Sequence, residues 1–119
     1  MSHEQSARRW LRLDAVYCTG AGVLAVGLAA PLGHLFHVPR GLVAGIGAAT
    51  LVWALLVGVL ARREEWRSPL RLVGAANVVA AAGVVALAAV APAAAARLLL
   101  AAVAVEVAAF AAVQLRLLR

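Results

Sequence analysis

Three polar side chains stand inside otherwise apolar stretches of this sequence: Asp14, Asn77 and Glu106. A carboxylate can accept a proton, bind a cation or pair with a cationic ligand, and an amide can orient it by donating hydrogen bonds. The three residues are far apart in sequence, so they can act together only if the elements that carry them converge. We therefore take them as a candidate polar site and ask which elements must position them.

The composition indicates that the chain's solvent is a lipid bilayer. Of its 119 residues, 66% are hydrophobic and 13% are charged, and its mean hydropathy is +0.98. A soluble domain is typically about 45–50% apolar and about 25% charged. The sequence therefore excludes an ordinary soluble fold, and it excludes a disordered chain because that would need many more polar residues.

Four apolar runs predict four membrane-spanning helices. A span needs about 20 apolar residues, and the runs cover about 11–32, 41–61, 70–91 and 94–115. They lack the two-residue alternation of barrel strands, so the predicted class is an all-α, four-transmembrane-helix bundle. It forms a single domain over residues 11–119, preceded by a cytoplasmic tail at 1–10.

Prolines mark the breaks between these runs, because proline ends or starts helices. Pro31 and Pro39 bound the first break, and Ser68 followed by Pro69 predicts an N-cap and first helical position. The third break rests on Pro92 alone, so one long kinked segment is the alternative there.

The arginines predict the orientation. Nine of the eleven basic residues flank one set of helix ends, and only Arg40 and Arg97 fall on the opposite side. The positive-inside rule therefore places both termini in the cytoplasm, and we expect a bacterial inner-membrane location. A signal peptide, including a twin-arginine signal at Arg8 and Arg9, is the alternative, but the first apolar run exceeds the usual 7–15 residues.

The polar groups converge in depth. At a rise of 1.5 Å per residue, Asn77 lies about 10 Å, Trp53 about 12 Å and Glu106 about 14 Å from the cytoplasmic helix ends, and Asp14 lies about one turn in. Ionised side chains facing lipid are costly, so we expect Glu106 to face the bundle interior. Helical spacing adds candidate lining residues around the site: Tyr17, Cys18, Trp53, Phe110 and Gln114.

Structural interpretations of the same residues remain open. Asp14 suits a helix start flanked by arginines, and Asn77 suits an interhelical hydrogen bond. Gly41 and Gly45 form a G-x-x-x-G step that favours close helix packing. Glu106 has four alternative roles: it could accept a proton, bind an ion, pair with a cationic substrate or be purely structural.

We find no signal for catalysis, a cofactor, a metal or nucleic acid. His34 and His37 supply two ligands without a third, and the lone Cys18 cannot build a thiolate site. No nucleophile motif or nucleic-acid module is present. The expected partners are the bilayer, anionic lipid headgroups, and a second copy or another membrane protein.

The segment Leu11-Arg12-Leu13-Asp14-Ala15, together with Asn77, Glu106 and Gln114, resembles small uncharacterised four-helix bacterial inner-membrane proteins. That resemblance implies the same layout and no assigned activity. Three functions remain as hypotheses: an accessory or scaffold bundle, a proton- or cation-coupled transporter or channel subunit that uses the carboxylates, and a membrane enzyme or cofactor binder.

Overall fold

The structure, a computed structural model, describes residues 2–119, in which all regular elements are α-helices. The predicted all-α class is therefore confirmed. The helices are α1 (His3–Gly27), α2 (Ala29–Phe36), α3 (Arg40–Leu60), α4 (Arg67–Val90) and α5 (Ala94–Arg116). Three of them, α3 to α5, are long and apolar enough to cross a membrane, and the bent pair of α1 and α2 makes a fourth if it is one span.

The first apolar run folds differently from the expected straight span. α1 begins at His3 because Ser2 and Gln5 form a capping box, in which each side chain accepts the other's backbone N–H at 3.2 Å. The helix axis then turns by 85° between α1 and α2. Pro31 lies in the first turn of α2, where backbone N–H groups lack helical partners, so it does not end a helix.

The start of α4 and the break between α4 and α5 lie at prolines, as predicted, but the residue that caps α4 differs from the predicted one. α4 and α5 are separate helices on either side of Pro92, so the kinked alternative does not hold. α4 begins at Arg67, one residue before the expected Ser68 cap. Its first N–H groups are bound instead by the Glu65 carboxylate, which accepts from Arg67 at 2.7 Å and from Ser68 at 3.0 Å.

The helices pair as two antiparallel hairpins, α1 with α3 and α4 with α5. α1 and α3 approach closely at Gly22 and Gly47, where a Cβ built on Gly22 would lie 2.9 Å from the Gly47 carbonyl oxygen. Gly41 and Gly45, expected to pack closely, border open space instead. They lie on a different face of α3 from Gly47, since the six-residue step from Gly41 to Gly47 corresponds to a rotation of about 240° about the helix axis.

The hairpins meet mainly at the end that carries both chain termini. A core there joins α1, α3 and α4 through these buried residues: Ala7, Leu11, Val57, Ala61, Leu70 and Val73. Large apolar side chains elsewhere face outward, among them Val79, Val90 and Leu98, each more than 70% exposed. The molecule is 44 Å long, comparable with the roughly 40–45 Å of a bilayer with its headgroups.

Candidate functional site

Three helices contribute one polar side chain each to the interior. Asp14 comes from α1, Asn77 from α4 and Gln114 from α5, and their exposures are 1%, 6% and 0%. Two of them, Asp14 and Asn77, belong to the three polar residues that the sequence places in the same half of the bundle; the third is Glu106. Gln114 was predicted only as a lining residue, but it completes the site.

The three side chains form a closed hydrogen-bonded triangle. Oδ2 of Asp14 accepts from Nδ2 of Asn77 at 2.6 Å and from Nε2 of Gln114 at 2.7 Å. Asn77 Nδ2 also donates to Oε1 of Gln114 at 2.9 Å. We call Asp14, Asn77 and Gln114 the polar triad. It joins the α1/α3 hairpin to the α4/α5 hairpin.

The second carboxylate oxygen of Asp14 has its own donor. The Cys18 thiol, one turn along α1, lies 3.4 Å from Oδ1 and donates to it. Within residues 2–119, no buried side-chain nitrogen or oxygen lacks a partner. The triad is thus internally satisfied, which a buried polar network requires if it is to stabilise a fold.

The triad is better suited to holding helices together than to reacting. Its two amides do not titrate, and both oxygens of the Asp14 carboxylate already have donors, the two amides on Oδ2 and the Cys18 thiol on Oδ1. Hydrogen bonds to a charged acceptor are roughly twice as strong as neutral ones. The arrangement therefore fixes the positions of α1, α4 and α5 relative to one another.

Glu106 does not join the triad, and its expected inward orientation is not observed: its side chain is exposed on α5. Ala104, Ala111 and Gln114 form the buried side of α5 at this end. At about 100° per residue, Glu106 lies about 200° around the helix from Ala104. The four-residue spacing Glu106–Phe110–Gln114 suggested that Glu106 and Gln114 share a face. Over those eight residues, however, the direction of the side chain rotates by about 80° about the helix axis, which is enough to turn Glu106 away from the interior.

Three aromatic side chains meet on the contact between α1 and α5, and one of them lies near Glu106. The ring of Phe110 lies 5.4 Å from that of Tyr17 and 5.6 Å from that of Trp10. Tyr17 is also close enough to interact with the Glu106 carboxylate. Tyr17 and Phe110 therefore pack between helices, and the outer edge of their cluster is acidic.

The other predicted lining residue, Trp53, packs against the apolar core rather than on the triad. Arg8 has a structural role that its place among the N-terminal arginines did not predict. Its guanidinium donates to the carbonyls of Ala61 (3.0 Å), Arg63 (2.6 Å) and Glu64 (3.1 Å), and it pairs with Glu4 at 3.0 Å. It thereby fastens α1 to the loop after α3.

His34 and His37 lie at the opposite end of the molecule from the triad, where α2 ends. His37 adopts a left-handed backbone conformation with φ of 57°. No group of three or more His, Cys, Asp or Glu side chains in residues 2–119 is arranged to hold a metal ion. Comparison of the chain with protein-family models, curated proteins and solved structures gives no match.

Proposed function

We propose that this chain is a multi-pass protein of a bacterial inner membrane and acts as a small accessory or scaffold helix bundle. The membrane placement is supported by three to four helices of spanning length and by their outward-facing apolar side chains. Such faces are unstable in water but match lipid. The same faces are available to a second copy or to another membrane protein.

Both termini and the loop between α3 and α4 lie in the cytoplasm in this proposal. These parts of the chain meet at one end, where Arg8 binds the loop and Leu117 and Leu118 pack on the core. That end carries most of the arginines, as the positive-inside rule requires of the cytoplasmic side. Arg40 and Arg97 are at the other end.

Cysteine labelling tests this topology. In a Cys18→Ser background, Glu64→Cys and His37→Cys place single thiols at exposed positions on opposite ends. A membrane-impermeant maleimide added to intact spheroplasts should label His37→Cys only, and inside-out vesicles should give the reverse. Equal labelling of both in intact spheroplasts, or recovery of the protein in the soluble fraction, would refute the membrane arrangement.

The observation that carries the scaffold role is the closed polar triad. A transport site must exchange its ligand, whereas the Asp14 carboxylate is buried and occupied by Asn77, Gln114 and Cys18 donors. Interhelical hydrogen bonds of this kind in membranes contribute about 0.6–2 kcal/mol each. The triad accordingly supports a rigid bundle whose outer faces meet partners.

One observation favours proton- or cation-coupled transport as a second function: Glu106 is exposed beside Tyr17 in the apolar part of α5. An exposed carboxylate at that depth needs a proton, a cation or a cationic partner.

Proteoliposomes under an imposed pH gradient separate the two functions. The scaffold function predicts the same proton flux for the wild type, Glu106→Gln and empty liposomes. Flux that requires Glu106 but survives Glu64→Gln, a matched loop change, would refute the scaffold role and establish transport.

A further inference from the structure

Two adjoining cavities open at the end of the molecule far from the polar triad. The larger, about 600 Å³, lies where α2 turns into α3, and its polar walls are His34, His37 and Arg40. The smaller, about 350 Å³, lies between α1 and α3 and is lined by small apolar residues such as Gly27, Gly41 and Ala44. Arg40 and Ala30 line both, so a basic cavity continues into an apolar groove.

Positive charge in the basic cavity has no acidic counterpart nearby. The five acidic residues of the chain are Glu4, Asp14, Glu64, Glu65 and Glu106, and none falls between residues 28 and 97 outside the loop before α4. The salt bridge found within residues 2–119 joins Arg8 to Glu4 at the other end. Arg97, the other arginine on this side, donates to the Ala91 carbonyl at 2.8 Å.

The position of Arg40 argues for a ligand rather than for helix stability. It is the first residue of α3, and Pro39 provides no side-chain cap. A cation is unfavourable at a helix N-terminus, whose dipole is positive. An anion in the cavity would meet the Arg40 guanidinium, the two imidazoles and the positive end of this helix together.

The apolar groove distinguishes a lipid from a free anion. A Cβ built on Gly27 or Gly41 would meet no atom within 4 Å, so the space beside both glycines is open. α2 turns by 85° from α1 and would lie along the membrane surface if α1 crosses the bilayer. Headgroup phosphates occupy that depth, and acyl chains begin just beneath it.

From this arrangement we propose that the end of the bundle formed by α2 and the start of α3 is a binding site for an anionic phospholipid. The phosphate lies in the basic cavity against Arg40, His34 and His37, and one acyl chain follows the groove past Gly41 and Gly27. The site rests on the proposed membrane placement, in the leaflet opposite the cytoplasm.

Native mass spectrometry of the detergent-purified protein tests the proposal, with phosphatidylglycerol and phosphatidylcholine of identical acyl chains as probes. The wild type should retain phosphatidylglycerol preferentially. Arg40→Gln should weaken phosphatidylglycerol binding about fivefold, the effect expected of one arginine near an anionic headgroup. Arg40→Lys should keep most of the preference, and the control Arg97→Gln should keep all of it.

A second variant tests the groove. Gly41→Leu fills the space beside α3 and should weaken binding of both lipids while leaving their ratio unchanged. Equal retention of the two lipids by the wild type, or unchanged binding in Arg40→Gln and Gly41→Leu, would overturn the proposal. Displacement of the lipid by millimolar inorganic phosphate would show a free-anion site and overturn it as well.

The lipid measurement is independent of membrane placement, because it is made in detergent. Failure of the cysteine-labelling experiment with normal phosphatidylglycerol selectivity would refute the membrane topology and the leaflet assigned to the lipid, but not the lipid site itself. Correct labelling with no selectivity would refute the lipid site alone. Circular dichroism of each variant verifies that the helices are intact, and a lipid loss accompanied by helix loss counts against the site.

Discussion

Asn77 on α4 donates a 2.6 Å hydrogen bond to Asp14 on α1, a residue 63 positions earlier in the chain. The bond joins the two helical hairpins inside the bundle, where side chains otherwise are mostly small and apolar. Gln114 donates to the same carboxylate oxygen from α5. The register of three helices is thus set by a single buried oxygen atom.

Replacing Asn77 by leucine should destabilise the bundle. The change removes the donor to Gln114 Oε1 and one of the two donors to Asp14 Oδ2, so the Gln114 carbonyl loses its partner and Asp14 Oδ2 keeps only Gln114 Nε2. A buried polar group without its partner costs about 1–3 kcal/mol. Thermal unfolding in detergent measures the loss, and the exposed substitution Val79→Leu on the same helix should leave the unfolding temperature unchanged. An equal effect of both variants would contradict the assigned role of Asn77.

Asp14→Asn should be far milder than Asp14→Leu. An asparagine carbonyl oxygen can replace Oδ2 and still accept from Asn77 and Gln114, whereas leucine leaves Gln114 Nε2 without its acceptor and leaves Asn77 Nδ2 with Gln114 Oε1 alone. Removal of a buried charge also removes its desolvation cost. We expect a change within about 1 kcal/mol for Asp14→Asn and a loss of about 2–5 kcal/mol for Asp14→Leu.

The same unfolding assay separates a structural carboxylate from one that must be ionised. If Asp14→Asn were as unstable as Asp14→Leu, the negative charge itself would be required. The negative charge of Asp14 would then have a role beyond fixing the relative positions of the helices. The double variant Asp14→Asn/Asn77→Leu should lose little more stability than Asn77→Leu alone if Asp14 and Asn77 act through their shared hydrogen bond.

Composition and apolar runs were sufficient to predict the four long helices α1, α3, α4 and α5, because long apolar runs without two-residue alternation favour helices over strands. They did not predict the bend after Gly27, since no proline lies at that point and Pro31 is accommodated in the first turn of α2. Depth along each helix correctly brought Asp14 and Asn77 together.

Rotation about the helix axis was harder to predict. Nearly every face of α5 is apolar, so the pattern could not show which side is buried, and Glu106 was assigned to the interior together with Gln114, which alone lies there. For the same reason the sequence did not predict the close contact between Gly22 and Gly47. It pointed instead to Gly41 and Gly45, because their spacing matches the G-x-x-x-G motif. Relative rotation depends on packing between helices, which a single sequence with uniform apolar faces does not encode visibly.

Gly22→Ala should weaken the α1/α3 hairpin, whereas Gly45→Ala should not. A Cβ at residue 22 would lie 2.7 Å from Cγ of Leu51 and 2.9 Å from a backbone oxygen, so the helices would have to separate. Overpacking of this kind costs about 1–3 kcal/mol. At residue 45 the space is open, and alanine in a helix should gain about 0.5–1 kcal/mol over glycine. Destabilisation by Gly45→Ala in detergent would place the close contact elsewhere.

Arg8→Ala should loosen the loop between α3 and α4. The guanidinium holds three backbone carbonyls of that loop and of the end of α3, and a charged hydrogen bond contributes about 1.5–3 kcal/mol when buried, less at this partly exposed position. Hydrogen exchange across residues 61–66 should become faster. Arg9→Ala removes the neighbouring exposed arginine and serves as the control. Equal exchange in both variants would show that Arg8 does not fasten the loop.

Acid should release the start of α4, because Glu65 caps it as a carboxylate. A side-chain hydrogen bond from Ser68 and the backbone N–H groups of Ser68 and Arg67 lower the pKa of Glu65 from its usual 4.5. A lowered pKa in the folded state means that the cap stabilises the protein above pH 4.5 and that this contribution is lost as the pH falls through the lowered value.

The backbone amide shifts of Arg67 and Ser68 should therefore titrate with a midpoint below 4.5 in the wild type. They should stay flat in Glu65→Gln, whose amide can accept a hydrogen bond but does not titrate. A wild-type midpoint at or above 4.5 would contradict the cap, because a carboxylate that binds these N–H groups must hold its proton less tightly than a free one.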